Sequence, residues 1–378
     1  MEKVKLGDIC EVFSGFAFKT FNEDKQGKPV IKIGNIQIDG KISLEECSYT
    51  KEIPQEKYFS KVNDIYIALS GATTGKVGIM EQGDFLINQR VGVVRLKNNN
   101  IPINYLFSFL KSKTVTILQD AFGAAQPNIS PKDILNYEIP LPSLEEQKAI
   151  AGKLDKVSGL IEKRKTQLKK LDLLIKSRFI EMFGASNAQD CKKKIADYAK
   201  VLGGYAFKSD LFCSNEIPVV RISNICNGSV YLDYNTCYQS SFWRENKKFR
   251  VETNDVLMAM SGATTGKAGL YKENLPALIN QRVACIRSIP QKSCPEFLFV
   301  ATQLDWMYDL IQEQSAGCAQ PNISGKQIET MPIPEASFEK QLEFAEFVKL
   351  IDKSKFEIQK SLEKLEILKK SLMQQYFG

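Results

Sequence analysis

Residues 71–78 read Gly71-Ala72-Thr73-Thr74-Gly75-Lys76-Val77-Gly78, a pair of threonines between glycines, running into a lysine. Such a loop can offer backbone N–H groups, two hydroxyls and one ammonium to a phosphate. It does not match the nucleotide-binding P-loop, which needs four residues between its glycines and then Gly-Lys-Ser/Thr. Here three intervene, and Val77 stands where the hydroxyl belongs, so ATP binding is not expected. A tight structural turn is the other use of such a segment, and the sequence leaves both open. Thr73, Thr74 and Lys76 are the candidate contacts, joined by Thr264, Thr265 and Lys267 of a near-identical segment, Gly262-Ala263-Thr264-Thr265-Gly266-Lys267-Ala268-Gly269.

Two further polar blocks occur twice, Ile87-Asn88-Gln89-Arg90 with Ile279-Asn280-Gln281-Arg282, and Gln126-Pro127-Asn128-Ile129-Ser130 with Gln320-Pro321-Asn322-Ile323-Ser324. An Asn or Gln amide can pair with adenine through two hydrogen bonds. Residues identical in two copies cannot make those copies read different sequences, so scaffold or phosphate contact is the expected role, with Arg90 and Arg282 as candidates. A fourth candidate surface is Trp243-Arg244-Glu245-Asn246-Lys247-Lys248-Phe249-Arg250, where aromatic and basic residues interleave. Trp243, Arg244, Lys247 and Lys248 would face DNA there, or form a solvated loop. Phe16/Phe18 and Tyr205/Phe207 alternate with period two and are expected in strand cores.

Other chemistry is excluded by composition. The 378 residues contain no histidine, which removes histidine-dependent triads, histidine-bound zinc and the usual neutral-pH proton shuttle. Nine cysteines include no C-x-x-C pair, and Cys213, Cys226, Cys237, Cys285, Cys294 and Cys318 fall in the second globular half, mostly without a counterpart in the first. Reduced thiols are expected, with no metal site. The net charge of +7 spreads thinly, so a DNA surface must come from local placement of charge. No membrane span and no signal peptide are expected, which points to a cytoplasmic protein.

The elements that hold these residues come from a duplication. The Gly-Ala-Thr-Thr-Gly-Lys blocks lie 191 residues apart, too far for a solenoid unit. Ser14-Gly15-Phe16-Ala17-Phe18-Lys19 returns as Gly203-Gly204-Tyr205-Ala206-Phe207-Lys208, and Pro29-Val30-Ile31-Lys32 as Pro218-Val219-Val220-Arg221. Each globular copy ends in a Pro-x-Pro run, Pro140-Leu141-Pro142 or Pro332-Ile333-Pro334, which holds the chain extended. Ser143-Leu144-Glu145-Glu146 then forms a capping box, while Ser337-Phe338-Glu339-Lys340 keeps only the serine. Heptads follow. The first predicted seam has Ile150, Leu154, Val157, Ile161, Leu168, Leu171 and Ile175; the second has Phe344, Phe347, Ile351, Ile358, Leu365, Leu368 and Leu372. Four segments are expected: globular 1–142, helical 143–184, globular 185–334, helical 335–378. The fold class is α+β, with two similar mixed α/β domains joined by two long antiparallel coiled-coil helices about a pseudo-two-fold axis. Each helix should be ~60 Å long.

The order and recurrence of these blocks resemble the specificity subunits of type I restriction-modification systems across all 378 residues. The resemblance implies a non-catalytic reader of double-stranded DNA, each globular domain a target-recognition domain reading half of a bipartite, asymmetric site. It implies that the coiled coil sets the spacing and docks two methyltransferase subunits. The chain itself would need no cofactor: S-adenosylmethionine would belong to the adenine methyltransferase, and ATP and Mg to a restriction subunit where one is present. The alternatives are a coiled-coil adaptor for proteins, a reader in a methyltransferase-only or type IIB-like system, and an unrecognised nuclease or methyltransferase.

Overall fold

The computed structural model describes residues 2–22, 25–80, 82–121, 127–315 and 321–378. Of the Gln-Pro-Asn-Ile-Ser blocks, Gln126 and Gln320 lie outside the described residues, as does Cys318. The chain gathers into two units, Met1–Lys165 with Lys360–Gly378, and Thr166–Gln359. The expected partition into lobes and rods therefore cuts across the packing, because each unit combines one lobe with parts of both long helices.

In the first unit a four-stranded antiparallel sheet runs Cys10–Ser14, Val91–Leu96, Ile65–Ala68, Val77–Ile79. Its central strand, Ile65–Ala68, is buried on both faces. Ile65 and Ile67 enter a core with Tyr105, Phe109 and Leu154, while Tyr66 and Ala68 enter another with Ile31 and Val93. Alternation with period two forces this division. A second, three-stranded sheet pairs Lys28–Ile31 antiparallel to Ser48–Thr50 and parallel to Leu86–Ile87.

The second unit repeats the plan. Its main sheet runs Ala199–Gly203, Val283–Ser288, Val256–Ala259, Ala268–Leu270, extended by Ser229–Val230 and Ile225–Cys226. Its small sheet is Cys237–Tyr238, Ile217–Val220, Leu278–Ile279. Both units carry one device that the sequence did not reveal. Arg95 Nε and Nη2 donate to the two oxygens of Asp64 at 2.7 and 2.6 Å, and Arg287 does the same to Asp255 at 2.9 and 2.7 Å. These buried forks fix the start of each central strand, so neither arginine is free for a ligand.

Two 40-residue helices, Leu144–Phe183 and Phe338–Phe377, follow the lobes. The first begins on a complete capping box: Ser143 Oγ and N–H donate to Glu146 Oε2 at 2.9 and 3.0 Å, and Glu146 N–H returns to Ser143 Oγ at 3.3 Å. At the second start only Lys340 N–H reaches Ser337 Oγ, at 3.4 Å. In the second unit Asp172 pairs with Lys355 and Arg178 with Glu343, so there the helices run antiparallel. In the first unit Lys165 pairs with Glu366, and Leu154 shares a core with Phe377, which gives the same sense.

The seam of the first helix lies where its heptads place it: Ile150, Leu154, Val157, Ile161 and Ile175 are buried, and Leu168 and Leu171 half-buried. In the second helix the register differs. Phe344, Ile351, Ile358, Leu365 and Leu372 face inward to varying degrees, but Leu368 is 45% exposed. The inward positions are Phe344, Val348, Ile351, Lys355, Ile358, Leu362, Leu365, Lys369 and Leu372. Two of the seven predicted positions have thus moved by one residue, to Val348 from Phe347 and to Lys369 from Leu368. Phe347 stays half-buried against the second unit's core. The cause is chemical: Lys355 and Lys369 lay long apolar stems along the seam, and the Lys355 ammonium reaches out to Asp172.

Candidate nucleic-acid interface

The repeated blocks meet at one end of the central strand of each unit. Leu69 N–H donates to Arg90 O, and Ile129 N–H to Leu69 O, both at 2.9 Å. In the second unit Met260 N–H donates to Arg282 O at 2.9 Å and Ile323 N–H to Met260 O at 2.8 Å. Residues distant in sequence are thus laced onto the N–H and C=O of one residue, the first after the central strand.

Within the threonine loop the chemistry is directed inward. Gly71 and Gly75 both take φ +82, and Gly262 and Gly266 take +79 and +86, values that favour glycine. Thr74 Oγ1 donates to Gly71 O at 2.7 Å and lies 3.2 Å from Pro127 O; Thr265 Oγ1 repeats this with Gly262 and Pro321 at 2.7 and 3.1 Å. Both threonines are buried. The N–H groups of Gly71, Thr74, Gly75 and Lys76 all donate to carbonyls of the protein. The loop is therefore a fastener and not an open cradle of N–H groups, and Thr74 and Thr265 are corrected from candidate DNA contacts to internal ties. Thr73 and Thr264 differ. Their hydroxyls, with those of Ser70 and Ser261, are buried without a partner among the described residues in both units. Lys76 is half-buried and Lys267 exposed. Lys267 lines a cleft of about 600 Å³ with Thr264, Asp305 and Asp309, so two carboxylates share its surroundings.

The other blocks have structural work of the same kind. Ser130 and Ser324 cap the short helices Pro131–Leu135 and Gly325–Thr330. Asn88 Oδ1 accepts Arg90 N–H, and Asn280 Oδ1 accepts Arg282 N–H, each at 3.2 Å. Gln89 N–H donates to Phe16 O and Gln281 N–H to Tyr205 O, each at 2.9 Å. A Cβ on Gly204 would lie 2.1 Å from Asn280 O, and one on Gly15 2.2 Å from Ile87 O, so glycine is required at this close approach. The side chains of Gln89, Arg90, Gln281 and Arg282 nonetheless remain exposed.

Phe16 and Tyr205 lie beyond the ends of their strands, not in strand cores. Phe16 packs with Phe18 and Tyr58 at ring separations of 5.1 and 5.4 Å. Tyr205 packs with Phe207, Phe242 and Phe249 at 5.1, 4.8 and 5.1 Å. Each ring sits half-buried beneath a segment that differs between the copies, 37–59 or 226–250. In the second segment Arg250 lies 3.9 Å above the Trp243 ring and donates from Nε to Trp243 O at 2.7 Å. Trp243, expected in a DNA-facing or solvated loop, is thereby covered and half-buried. Arg244, Lys247 and Lys248 stay exposed around it.

Along the helices of the first unit runs a cleft of about 880 Å³ lined by Lys111, Lys165, Lys369, Asp155 and Glu162 among others. Burial, reinforced by the neighbouring Lys369 charge, pulls Lys111 down to about 8. Among the described residues no cluster of acidic or cysteine side chains could hold a metal, and no helix is long and apolar enough to cross a membrane.

Comparison with known proteins sets this architecture in context. Residues 1–171 and 190–369 match the family described as the type I restriction modification DNA specificity domain, once per lobe. The MjaVIII specificity subunit of Methanocaldococcus jannaschii is 23% identical, covering 98% of this chain and 91% of its own. The EcoBI specificity subunit of Escherichia coli is 23% identical over 90% of this chain and 77% of its own. Among solved structures, the type I S subunit from M. genitalium superposes with a TM-score of 0.56 at 16% identity, covering 100% of this chain and 96% of the other. That similarity concerns the fold. With both lobes matched by one family and the twin joints in place, the chain belongs to the specificity subunits of type I restriction-modification systems, with two target-recognition domains.

Proposed function

We propose that each lobe reads one half of a bipartite, asymmetric DNA target while the paired helices set the distance between the halves. The observation that carries this is the contrast inside each lobe: the block-built joint recurs bond for bond, whereas the flanking segments 37–59 and 226–250 do not match. A common frame holding unlike surfaces suits two readers of unlike half-sites. Lys76, Arg90, Lys267, Arg282, Arg244, Lys247 and Lys248 are the basic residues that supply DNA contact. The readers are 1–142 and 185–334, and the helical spacers 143–184 and 335–378.

The helices also carry the partner enzymes. Leu160, Ile367 and Leu368 are exposed in the first unit, and Leu173, Leu174, Leu350 and Phe356 in the second. Large apolar side chains left uncovered on a helix mark a protein-binding surface. Two methyltransferase subunits fit this provision, one set of apolar side chains per unit, and restriction subunits would join through the same complex. The chain contributes specificity, and catalysis with its S-adenosylmethionine, ATP or Mg belongs to its partners in the cytoplasm.

The test is to mix the purified chain with its companion methyltransferase and probe the complex with duplexes carrying paired half-sites found by mapping methylated adenines. A complex whose DNA affinity falls steeply with salt, and which methylates only when both halves are present, is the expected result. Association with neither DNA nor methyltransferase would favour a protein adaptor, and methyl transfer by the chain alone would make it an enzyme.

A further inference from the structure

Arginines in this protein are mostly occupied. Arg95 and Arg287 grip buried aspartates, Arg221 Nη2 reaches Asp233 at 3.2 Å, Arg178 pairs with Glu181 at 2.9 Å, and Arg250 covers Trp243. Arg90 and Arg282 are exposed, and their guanidinium groups have no partner among the described residues. Their backbones are as constrained as any in the molecule. Each N–H is held by the asparagine two positions earlier, each C=O by the end of the central strand, and the preceding glutamine N–H by Phe16 or Tyr205. The same bonds at nearly the same lengths occur in both units.

Apart from Lys76/Lys267 and Thr73/Thr264, most of the other shared residues explain themselves by structure. The glycines permit left-handed turns or close approach, Thr74 and Thr265 fasten, Ser130 and Ser324 cap, and Asn88 and Asn280 tie the turn. Packing and folding require none of the exposed side chains Gln89, Arg90, Gln281 and Arg282. A dipeptide presented rigidly in two copies, without an internal role, faces something that both lobes meet. If the lobes read different bases, what they share is the sugar–phosphate backbone.

Resting on the DNA-reading role above, we propose that Gln89-Arg90 and Gln281-Arg282 bind duplex phosphates at the equivalent point of each half-site, independently of base sequence. The guanidinium fork matches two phosphate oxygens, and the glutamine amide adds a neutral donor beside it. A fixed backbone lowers the ordering cost of each contact. These twin contacts would set the register of each lobe on the duplex and leave base choice to the divergent segments.

The experiment uses the complex of the full chain with its methyltransferase, on the target duplex and on an unrelated duplex, between 50 and 200 mM salt. Arg90→Ala and Arg282→Ala should each weaken binding to both duplexes by the same factor, about 5–10-fold, and flatten the log–log salt dependence by about one unit. Arg90→Lys and Arg282→Lys should recover most of the loss, and the methylated sequence should not change. Unaltered thermal melting and unaltered recovery of the complex show that folding and assembly are intact. Loss confined to the target duplex, a changed base preference, an unchanged salt slope or failure to assemble with the methyltransferase would each overturn the proposal. Wild-type complex that ignores DNA would instead sink the DNA-reading role beneath it.

Discussion

A threonine in a Gly-Ala-Thr-Thr-Gly-Lys loop has the same chemistry whether it faces a ligand or a carbonyl of its own chain. What separates Thr73 from Thr74 is Pro127, whose carbonyl comes within reach of one hydroxyl only through a fold that brings positions over fifty apart together. Charged residues divide likewise: Arg95 is locked to Asp64, while Arg90, just before the same strand, is open. Lys111 offers a measurement at this scale. Burial, the nearby Lys369 and Lys165, and only partial relief from Asp39 and Glu162 lower its pKa to about 8 from the usual 10.5. The charged ammonium is thus less welcome in the folded chain than in the unfolded one. Its penalty is full below pH 8 and fades as pH rises towards 10.5, where both states are neutral. Lys111→Met should therefore raise the melting temperature at pH 7 by about 2–4 °C, with the gain shrinking as pH climbs to 10. A loss of stability at every pH would show that the hydrogen bond from Lys111 Nζ to Asp39 O, at 2.7 Å, outweighs the burial of the charge.

At the scale of elements, the sequence was most legible where local chemistry acts alone. Both long helices, the complete cap at Ser143 and the weaker one at Ser337 could be read directly, since a cap and a heptad involve only near neighbours. Part of the second seam could not. Phe347 and Leu368 are apolar and Lys355 and Lys369 are not, so polarity pointed to the wrong alternate positions. Only packing against the other helix, with Lys355 reaching Asp172, reveals the register. The candidate site was legible as a set of recurring blocks, but not as a division between ties and contacts. The seam registers can be told apart by experiment. Leu362 is 6% exposed and Leu368 45%. Leu362→Asp buries a charge in the seam and should lower the melting temperature by about 5–10 °C, whereas Leu368→Asp should shift it by less than about 2 °C. Equal effects would return the seam to the register that polarity suggests. If Leu368 instead belongs to the methyltransferase-binding surface, Leu368→Asp should leave melting unchanged and weaken that association.

For the whole chain, the consequence of the packing is that the first unit is not contiguous in sequence, since residues 360–378 return to complete it. The helix that follows the first lobe ends in the core of the second unit, where Phe179 packs on Phe297 and Phe344 at 5.3 and 5.4 Å and Phe183 on the same rings at 5.0 and 5.6 Å. The helix that follows the second lobe ends in the core of the first, where Phe377 meets Tyr105 and Phe109 at 5.3 and 5.8 Å. Lys113 Nζ also donates to Phe377 O at 2.9 Å. A lobe cut out as residues 1–142 would therefore lack part of its own core, and an exchange of reader domains must respect Tyr105, Phe109 and Lys113 to keep Phe377 seated. Phe377→Ala tests this directly. Removing a fully buried ring costs about 3–5 kcal/mol, and the loss should fall on the first unit although the residue lies at the far end of the sequence. Hydrogen exchange should quicken at 105–117 and 65–68 while 256–259 and 297–301 keep their protection. Exchange that quickens equally in both units would mean that they unfold as one, and exchange confined to the last helical turn would mean that the first lobe completes its core without borrowing from the second helix.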